Sequence, residues 1–328
     1  MRKRAMRSVF AVALVALVTL PAAAQTAPTT AWGDPDLGGI WDFRTITPFQ
    51  RPESLGNQEF LTEEEAANLE QEVVDRNQEL LERPAERTEA ANQVDRRGDG
   101  TPGFYNNFWL DSGTQTVATR RTSLIVDPPN GRLPEMTPAG QARAMEARAY
   151  REAHPADSWT DRTAADRCLL GFNAGPPLTP GGYNQNLQVF QTPDHVAMVT
   201  EMVHTVRMVP LNERPLLPEH MAQWSGEARG HWEGDTLVVE TRNFNLDRRW
   251  RNTTDSLVLT ERFTRIDDGT LEYRYTVNDP ETWVSPWTAS IPLRRTDVPM
   301  YEYACHEGNL SMDGILAGHR AEEREAGQ

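Results

Sequence analysis

Two short turns in the C-terminal half constrain the fold of this chain more than any other feature of its sequence. The segment "EGDT" joins residues 231–232 to residues 237–239, and "DDGT" joins the segment of Glu261 to that of Tyr273. Gly-Asp and Asp-Gly in two-residue turns between segments of alternating apolar residues are strong signals of a β-hairpin. Together with the strand-like segments that follow Leu187, these turns predict an antiparallel meander of the kind that closes into a barrel.

The first half of the chain adds a strand and two helices to this expectation. Gly38 and Gly39 allow a turn before the strand-like "IWDF", and Thr62 opens a capping box in the helical segment "FLTEEEAANLEQEVVDRNQELLERPAER", which ends at Pro84. Pro138 lies in the first turn of a second helix, "TPAGQARAMEARAYREAH". The expected fold is therefore mainly β: an antiparallel lipocalin-like barrel with helical N-terminal decoration.

The N-terminus has the pattern of a secretory signal peptide. A basic start, "MRKRAMRS", precedes the apolar "VFAVALVALVTL" and a small-residue cleavage site after Ala24. No later segment is long and apolar enough to span a membrane, so we expect a periplasmic or secreted protein without membrane contact. The expected organisation is a signal peptide at 1–24, a linker at 25–35 and a single domain at 36–328, with a strand and helix half (36–166) before a loop and meander half (167–328).

Charge and composition exclude several classes of partner and mechanism. The formal net charge is −15, and it becomes −19 without the four positive residues of the signal peptide, since that peptide carries no acidic residue. So acidic a protein repels nucleic acid at long range. Lys3 is the only lysine, so the mature chain has no Schiff-base lysine, no phosphate-loop lysine and no Ser-Lys nucleophile pair. The expected partner is therefore a small molecule.

The chain contains two cysteines, Cys168 and Cys305. In an exported protein an even number of cysteines favours a disulfide, because the compartment is oxidising. One disulfide between Cys168 and Cys305 is the expected pairing, and two free thiols are the alternative. Cys168 lies at the start of a Gly- and Pro-rich segment, "RCLLGFNAGPPLTPGGYNQN", which predicts a long ordered loop, and loops of this length are often functional.

A polar cluster surrounds Cys305 near the end of the chain. The segment "EYACHEGN" places Tyr303, His306 and Glu307 within a few residues of one another. Side chains of these types donate and accept protons in catalysis. We therefore take all three as candidate catalytic residues, in which His306 moves a proton and Tyr303 donates a hydrogen bond to a developing oxyanion.

The same cluster could also hold a metal ion, but the spacing does not favour one. His306 and Glu307, with His204 or His319, are the conceivable ligands. They lack the i, i+4 pair of a zinc protease helix and the paired CxxC of a structural zinc site. The sequence also lacks GxSxG, a phosphate loop and an EF-hand loop. We expect no metal and no cofactor.

Two carboxylates of the meander are further candidates. Alternation places Glu261 on the apolar face that it shares with Leu259 and Phe263. An inward glutamate needs a partner or a raised pKa, so acid–base catalysis and a buried ion pair with an arginine such as Arg207 are both open. Glu201 is the second candidate, and it could form a pair of catalytic carboxylates with Glu261.

Substrate-binding residues are expected along the meander and at the end of the long loop. We interpret "HVAMVTEMVHTVRMVPL" as one long strand, in which Glu201 and Arg207 share one face and His204 lies on the other. Aromatic rings could line an apolar cavity inside a barrel. The candidate substrate-binding residues are Arg207, His204, Tyr183, Asn186, Tyr273, Tyr275 and Trp232.

Three segments, "RRTSLIVDPPNGRLP", "WEGDTLVVETRNF" and "YEYACHEGNLSMDGILAGHRAEE", resemble a widespread family of exported bacterial proteins. This resemblance covers nearly the whole mature chain, and it implies export but no catalytic residues. The meander "WEGDTLVV…ERF…TLEY" is also similar to lipocalin-like (calycin) barrels. That similarity implies binding of small apolar ligands, and some such barrels are cofactor-independent hydratases, isomerases or decarboxylases with Tyr, Glu, His and Arg in the cavity.

The expected function is that of an exported small-molecule-binding barrel, in its enzymatic form a cofactor-independent lyase, hydratase or isomerase. One alternative is a periplasmic binding protein without catalysis. The other is a carbohydrate-active enzyme that uses Glu201 and Glu261 as paired carboxylates across an open groove.

Overall fold

The computed structural model describes residues 28–82 and 110–327, with the exception of Glu213, Glu219 and Arg249. The predicted signal peptide at 1–24 and residues 25–27 of the predicted linker lie outside the described residues. Within the described ranges, no helix has the length and apolar character needed to cross a membrane.

The described chain is mainly β, as predicted, and has ten strands and three peripheral α-helices, of which the C-terminal one was not predicted. In chain order the elements are β1 (Gly39–Asp42), α1 (Glu63–Glu82), β2 (Ile125–Asp127), α2 (Pro138–Ala153), β3 (Asn186–Gln191), β4 (His195–Thr200), β5 (Val206–Pro210), β6 (Glu227–Glu233), β7 (Thr236–Arg242), β8 (Val258–Arg265), β9 (Thr270–Asn278), β10 (Trp287–Thr296) and α3 (Ser311–Ala326).

All ten strands belong to one antiparallel sheet. The order across it is β5-β4-β3-β1-β10-β9-β8-β7-β6, and the short β2 pairs with β10 beside this path. Both predicted hairpins are confirmed: Glu233 pairs with Thr236 between β6 and β7, and Arg265 pairs with Leu271 between β8 and β9. Because β1 lies between β3 and β10, the two predicted halves of the chain build a single sheet.

The prediction of one long strand across residues 195–211 is wrong. The chain reverses after Thr200, and β4 pairs with β5 so that Val199 lies opposite Val206. Val203 and His204 in the turn have φ angles of 57° and 37°, a left-handed conformation that non-glycine residues adopt at a cost of about 1–2 kcal/mol each. No Gly, Pro, Asn or Asp marks this turn, so the sequence carried no signal for it.

The sheet is curled but its hydrogen-bonded ladder is not closed. Among the described residues no backbone pairing joins the two edge strands, β5 and β6, so the predicted closed barrel is not confirmed. The edges nevertheless approach each other: a Cβ atom on Gly230 of β6 would lie 2.8 Å from Cγ1 of Val209 on β5. Glycine at position 230 therefore allows the closest contact between the edges.

The concave face of the sheet is packed with apolar and aromatic side chains. Trp41, Phe263, Tyr273, Tyr275 and Trp287 are at most 1% exposed. Successive rings contact one another, with Phe263 and Tyr273 stacked at 4.8 Å and Tyr275 and Trp287 edge-to-face at 5.8 Å between centroids. This part of the interior is a core filled by side chains.

The three helices lie on the outside of this core. α1 buries only Ala66 and Val73, α2 only Gly140, and α3 no residue. The predicted capping box of α1 is present, since the Glu65 amide donates to Thr62 Oγ1 at 3.1 Å and the Thr62 amide donates to the Glu65 carboxylate at 2.7 Å. α2 is capped as well, because Thr137 accepts a hydrogen bond from the Gly140 amide, whereas α3 has no side-chain cap at its N-terminus.

The predicted disulfide between Cys168 and Cys305 is confirmed. It joins the long loop between α2 and β3 to the segment that precedes α3. The Cα atoms are 5.7 Å apart, within the usual range for a disulfide. The C-terminal segment is thereby held against the loop that contains Tyr183.

Candidate functional site

A buried ion pair connects the edge strand β5 to β8 across the interior of the sheet. Arg207 of β5 donates to Glu261 of β8 through Nη1 at 3.1 Å and through Nη2 at 2.5 Å. Glu261 is 0% exposed and Arg207 is 7% exposed. Arg207 Nη2 also donates to Thr241 Oγ1 of β7 at 3.3 Å. Glu261 faces inward, as predicted. Of the two roles left open for it, acid–base catalysis and a buried ion pair, the structure shows the ion pair with Arg207.

Tyr273 extends this network. Its hydroxyl donates to Glu261 Oε1 at 2.8 Å and accepts a hydrogen bond from the Leu178 amide at 3.1 Å. Burial and the negative charge of Glu261 raise the pKa of Tyr273 well above its ordinary value. Both carboxylate oxygens of Glu261 are thus occupied by protein donors, and the network connects strands near the open edge of the sheet. Arg207 Nε is buried and has no hydrogen-bond partner among the described residues.

A second group of polar side chains forms a row across one end of the sheet. Arg294 of β10 is opposite Asp42 of β1, and Asp42 is opposite Asn186 of β3. The Glu201 amide then donates to the Asn186 carbonyl at 2.9 Å. The neighbours of these residues, Trp41 and Leu187, pack in the core, so alternation places Asp42 and Asn186 on the opposite, outer face.

The end of the row at Asn186 and Glu201 opens into a cleft of about 270 Å³, here called the outer cleft. Three predicted site residues, Tyr183, Asn186 and Glu201, are among its lining residues. The full lining consists of Arg44, Asp111, Tyr183, Asn184, Gln185, Asn186, Glu201, Val298 and Tyr301.

Glu201 is the most unusual group in the outer cleft. It is 5% exposed, and it accepts hydrogen bonds from Asn186 Nδ2 at 2.8 Å and from the Tyr301 amide at 3.4 Å. Within the described part of the chain, no Arg or His forms an ion pair with Glu201. Beside it, Asn186 Oδ1 is buried and has no hydrogen-bond partner among the described residues. A carboxylate and an amide oxygen therefore offer acceptor capacity at one place.

The positive charges near the cleft are already paired. Arg44 donates to both oxygens of Asp42 at 2.9 Å and also contacts Asp111. These contacts, Asp42 first, raise the pKa of Arg44. Arg294 shares Asp42 at 3.3 Å. The charges of Arg44 and Arg294 are thus balanced by those of Asp42 and Asp111. Glu201 has no counterion among these residues.

Aromatic rings continue from the cleft toward the disulfide. Tyr183 stacks on Tyr303 with 6.3 Å between ring centroids and an interplanar angle of 21°, and Phe172 contacts Tyr183 edge-on at 5.6 Å. Burial, together with the hydrogen bond to Tyr183, raises the pKa of Tyr303 to about 12. Tyr303 is therefore a neighbour of the outer cleft through Tyr183.

The raised pKa of Tyr303 predicts a loss of stability at alkaline pH. Between pH 10.0 and about 12 the unfolded tyrosine has lost its proton while the folded one retains it, so the contribution is complete below pH 10.0 and falls as pH rises through this range. We expect the unfolding free energy of Tyr303→Phe to fall less steeply over this range than that of the native chain. Urea unfolding at several pH values measures both slopes, and equal slopes would contradict the prediction.

The other predicted site residues are not brought to the same place. His306 and Glu307 are exposed on the turn before α3, and His204 is exposed in the turn between β4 and β5. Trp232 is partly buried and packs against the core. Glu261, Tyr273, Tyr275 and Arg207 belong to the interior. The structure therefore divides the candidate set between the interior, the outer cleft and exposed turns.

Four charged residues of the outer cleft and its row were missed by the sequence analysis: Asp42, Arg44, Asp111 and Arg294. One signal was present, because Asp42 interrupts the apolar run "IWDF" of a strand that packs on the core. Arg44 follows Asp42 by two residues, whereas Asp111 and Arg294 are distant from it in sequence. Only strand pairing brings Arg294 beside Asp42.

Comparison of this chain with protein-family models, with curated proteins and with solved structures finds no match. The resemblances drawn from its motifs therefore stay predictions, and the argument for function depends on the geometry of the outer cleft.

Proposed function

We propose that the outer cleft binds a small organic molecule that is neutral or cationic and carries N–H or O–H groups. Glu201 is the anchor of this ligand, and Asn186 and Tyr183 are its neighbours in the cleft wall. The curled sheet, with its lipocalin-like character, is the scaffold that holds these side chains. The disulfide supports an oxidising compartment for this protein, which agrees with an exported binding protein.

The observation that carries this proposal is the state of Glu201. A buried carboxylate without a cation is unfavourable unless donors surround it. Its donors here are one amide side chain and one long backbone hydrogen bond. A ligand N–H or O–H group would supply a further donor to Glu201, and a second such group would satisfy Asn186 Oδ1.

Size and charge restrict the ligand class. Small-molecule sites usually measure about 300–1,000 Å³, so a cleft of about 270 Å³ suits a compact ligand. Because the arginines of the row are engaged by Asp42 and Asp111, an anionic ligand would meet the uncompensated charge of Glu201. The stacked rings of Tyr183 and Tyr303 favour a ligand with an apolar or aromatic face.

In the enzymatic form of the proposal, Glu201 accepts a proton from the bound substrate. This is cofactor-independent acid–base chemistry of the lyase or isomerase type, as expected from the sequence. In the binding form the ligand leaves unchanged. The carbohydrate alternative required Glu201 and Glu261 in one open groove, and the complete burial of Glu261 does not favour it.

The test is a ligand screen with the purified mature chain and a matched pair of variants. Compact amines, amides and alcohols are screened by native mass spectrometry and thermal shift, and hits are titrated. Glu201→Gln is expected to weaken binding by about 10-fold to 100-fold, because a hydrogen bond to a charged group contributes about 1.5–3 kcal/mol. Glu307→Gln removes an exposed carboxylate outside the cleft lining, so it is expected to bind as the native chain does.

Each outcome bears on a different part of the proposal. Hits that bind Glu201→Gln and native protein equally would place the ligand elsewhere and contradict it. Hits that depend on Glu201 and are converted to a product establish the enzymatic form, whereas dependent hits without turnover establish the binding form. A screen in which only anions bind would also overturn the proposal.

A further inference from the structure

A cluster of metal-ligating side chains lies where α3 meets the loop that follows α2. Its residues are not part of the outer cleft. Asp157, His319 and Glu323 each present one ligand atom, and these atoms all lie within 4.8 Å of one another. Among the described residues, no other group of three or more such side chains has its ligand atoms this close together. Of the ligands considered from the sequence, this cluster includes His319, but not His306, Glu307 or His204.

We propose that Asp157, His319 and Glu323 form a binding site for a divalent transition-metal ion, with zinc as the best fit, that fastens α3 to the loop after α2.

The distances agree with the geometry of zinc. Ligand atoms about 2.0–2.2 Å from a tetrahedral ion lie about 3.3–3.6 Å from one another. His319 Nε2 is 3.1 Å from Asp157 Oδ1 and 3.6 Å from Glu323 Oε1. The second distance lies within this range and the first is slightly shorter, while the two carboxylate oxygens lie within 4.8 Å of each other. One nitrogen and two carboxylate oxygens leave a fourth position for water.

Helix geometry explains how two of the ligands come together. His319 and Glu323 are four residues apart on α3, so they lie on one face of the helix about one turn apart. Asp157 comes from the loop, and the Arg320 guanidinium holds that loop by donating to the Ala156 carbonyl at 3.1 Å. The site is therefore assembled from two separate elements.

A second observation points to a ligand at this place: each carboxylate has its other oxygen held by a different side chain. Asp157 Oδ2 lies 2.7 Å from His154 Nδ1, and Glu323 Oε2 lies 3.1 Å from Arg320 Nε. Each carboxylate thus directs one oxygen toward His319 Nε2. The hydrogen bond at Asp157 and the ion pair at Glu323 are outer contacts of the kind that orient metal ligands. The remaining nitrogen, His319 Nδ1, faces Glu322 Oε2 at 3.7 Å.

The position suggests a structural role. α3 buries no side chain, so little apolar packing holds it to the rest of the molecule. Among its described anchors are the Arg320 and His319 contacts above and, before the helix, the disulfide at Cys305 and the bond from Asn309 Nδ2 to the Asp166 carbonyl at 3.0 Å. A metal ion shared by Asp157 and two residues of α3 would add a link at the middle of the helix.

The experiment is a zinc titration of the untagged mature chain after treatment with a chelator. Isothermal calorimetry is expected to show one zinc ion per chain, and neither magnesium nor calcium should compete, since both prefer sites made of oxygen alone. His319→Ala is expected to weaken binding by about 100-fold and Glu323→Gln by about 10-fold or more. Glu325→Gln, an exposed residue on the same helix, is expected to bind zinc as the native chain does.

Hydrogen exchange provides a readout that does not depend on affinity. Zinc is expected to slow amide exchange in α3 of the native chain and of Glu325→Gln, but not of His319→Ala. No zinc binding at millimolar concentration would overturn the proposal. Equal affinity of His319→Ala and the native chain would also overturn it, because the ion would then lie elsewhere.

Discussion

Arg207→Leu is expected to lower the free energy of unfolding by about 3–5 kcal/mol, the largest effect of any single substitution considered for this protein. The change removes both arginine donors from Glu261, which is 0% exposed. A charged carboxylate then remains in the core with Tyr273 as its donor. The strongest connection between β5 and β8 is lost at the same time. Chemical denaturation with urea measures the effect.

Two controls separate this buried pair from ordinary surface charge. Arg262 lies next to Glu261 on β8 and pairs with Glu233 at 2.6 Å, where both side chains are exposed. Arg262→Leu is expected to change stability by no more than about 1 kcal/mol. The double variant Arg207→Leu/Glu261→Leu is expected to be more stable than Arg207→Leu alone, because it leaves no unpaired buried charge. A loss below about 1 kcal/mol in Arg207→Leu would contradict the burial of this pair.

Replacing both cysteines with alanine is expected to lower the free energy of unfolding by about 2–5 kcal/mol. Cys168 and Cys305 are 137 residues apart, and a cross-link across so long a loop restricts the unfolded chain strongly. Urea unfolding of Cys168→Ala/Cys305→Ala, compared with the native chain before and after reduction, measures the effect. The reduced native chain and the double variant should lose similar stability.

The disulfide should also matter for the outer cleft. It holds the segment from which Tyr303 stacks on Tyr183 and from which the Tyr301 amide reaches Glu201. We expect any ligand that depends on Glu201 to bind the double cysteine variant more weakly than the native chain. Unchanged affinity and unchanged stability together would show that the C-terminal segment is held without the disulfide.

The predictions for Arg207→Leu and for the double cysteine variant both concern interactions that join distant parts of the chain. The two interactions could be predicted from the sequence to different extents. The cysteines could be paired from their number and the expected compartment. Glu261 could be placed inward from alternation, yet its partner could not be chosen among several arginines. The sequence also suggested that Glu201 and Arg207 share a face, whereas the turn at residues 202–204 separates them.

The candidate site was predicted only in pieces. Tyr183, Asn186 and Glu201 were named for separate reasons, and the structure places all three in one cleft. Asp42, Arg44 and Arg294, which determine the charge of its surroundings, were not named at all. His319 was considered as a metal ligand, but its proposed partners Asp157 and Glu323 were not, because Asp157 is distant in sequence and belongs to another element.

Local and periodic features of this protein were predictable from its sequence: the two hairpins, the N-cap of α1, the inward position of Glu261 and the disulfide. These depend on neighbouring residues, on a two-residue period or on a count of cysteines, all of which can be read along the chain. The tertiary structure alone decided the turn after Thr200, the open edge between β5 and β6, and the groups that meet at the outer cleft and at α3. The turn forms because Met202 and Val203 bury their side chains against the long loop, and this packing energy, not a turn residue, offsets the left-handed backbone. The clusters form because sheet register and helix docking bring together side chains that are far apart in sequence, and a linear pattern contains no record of that register.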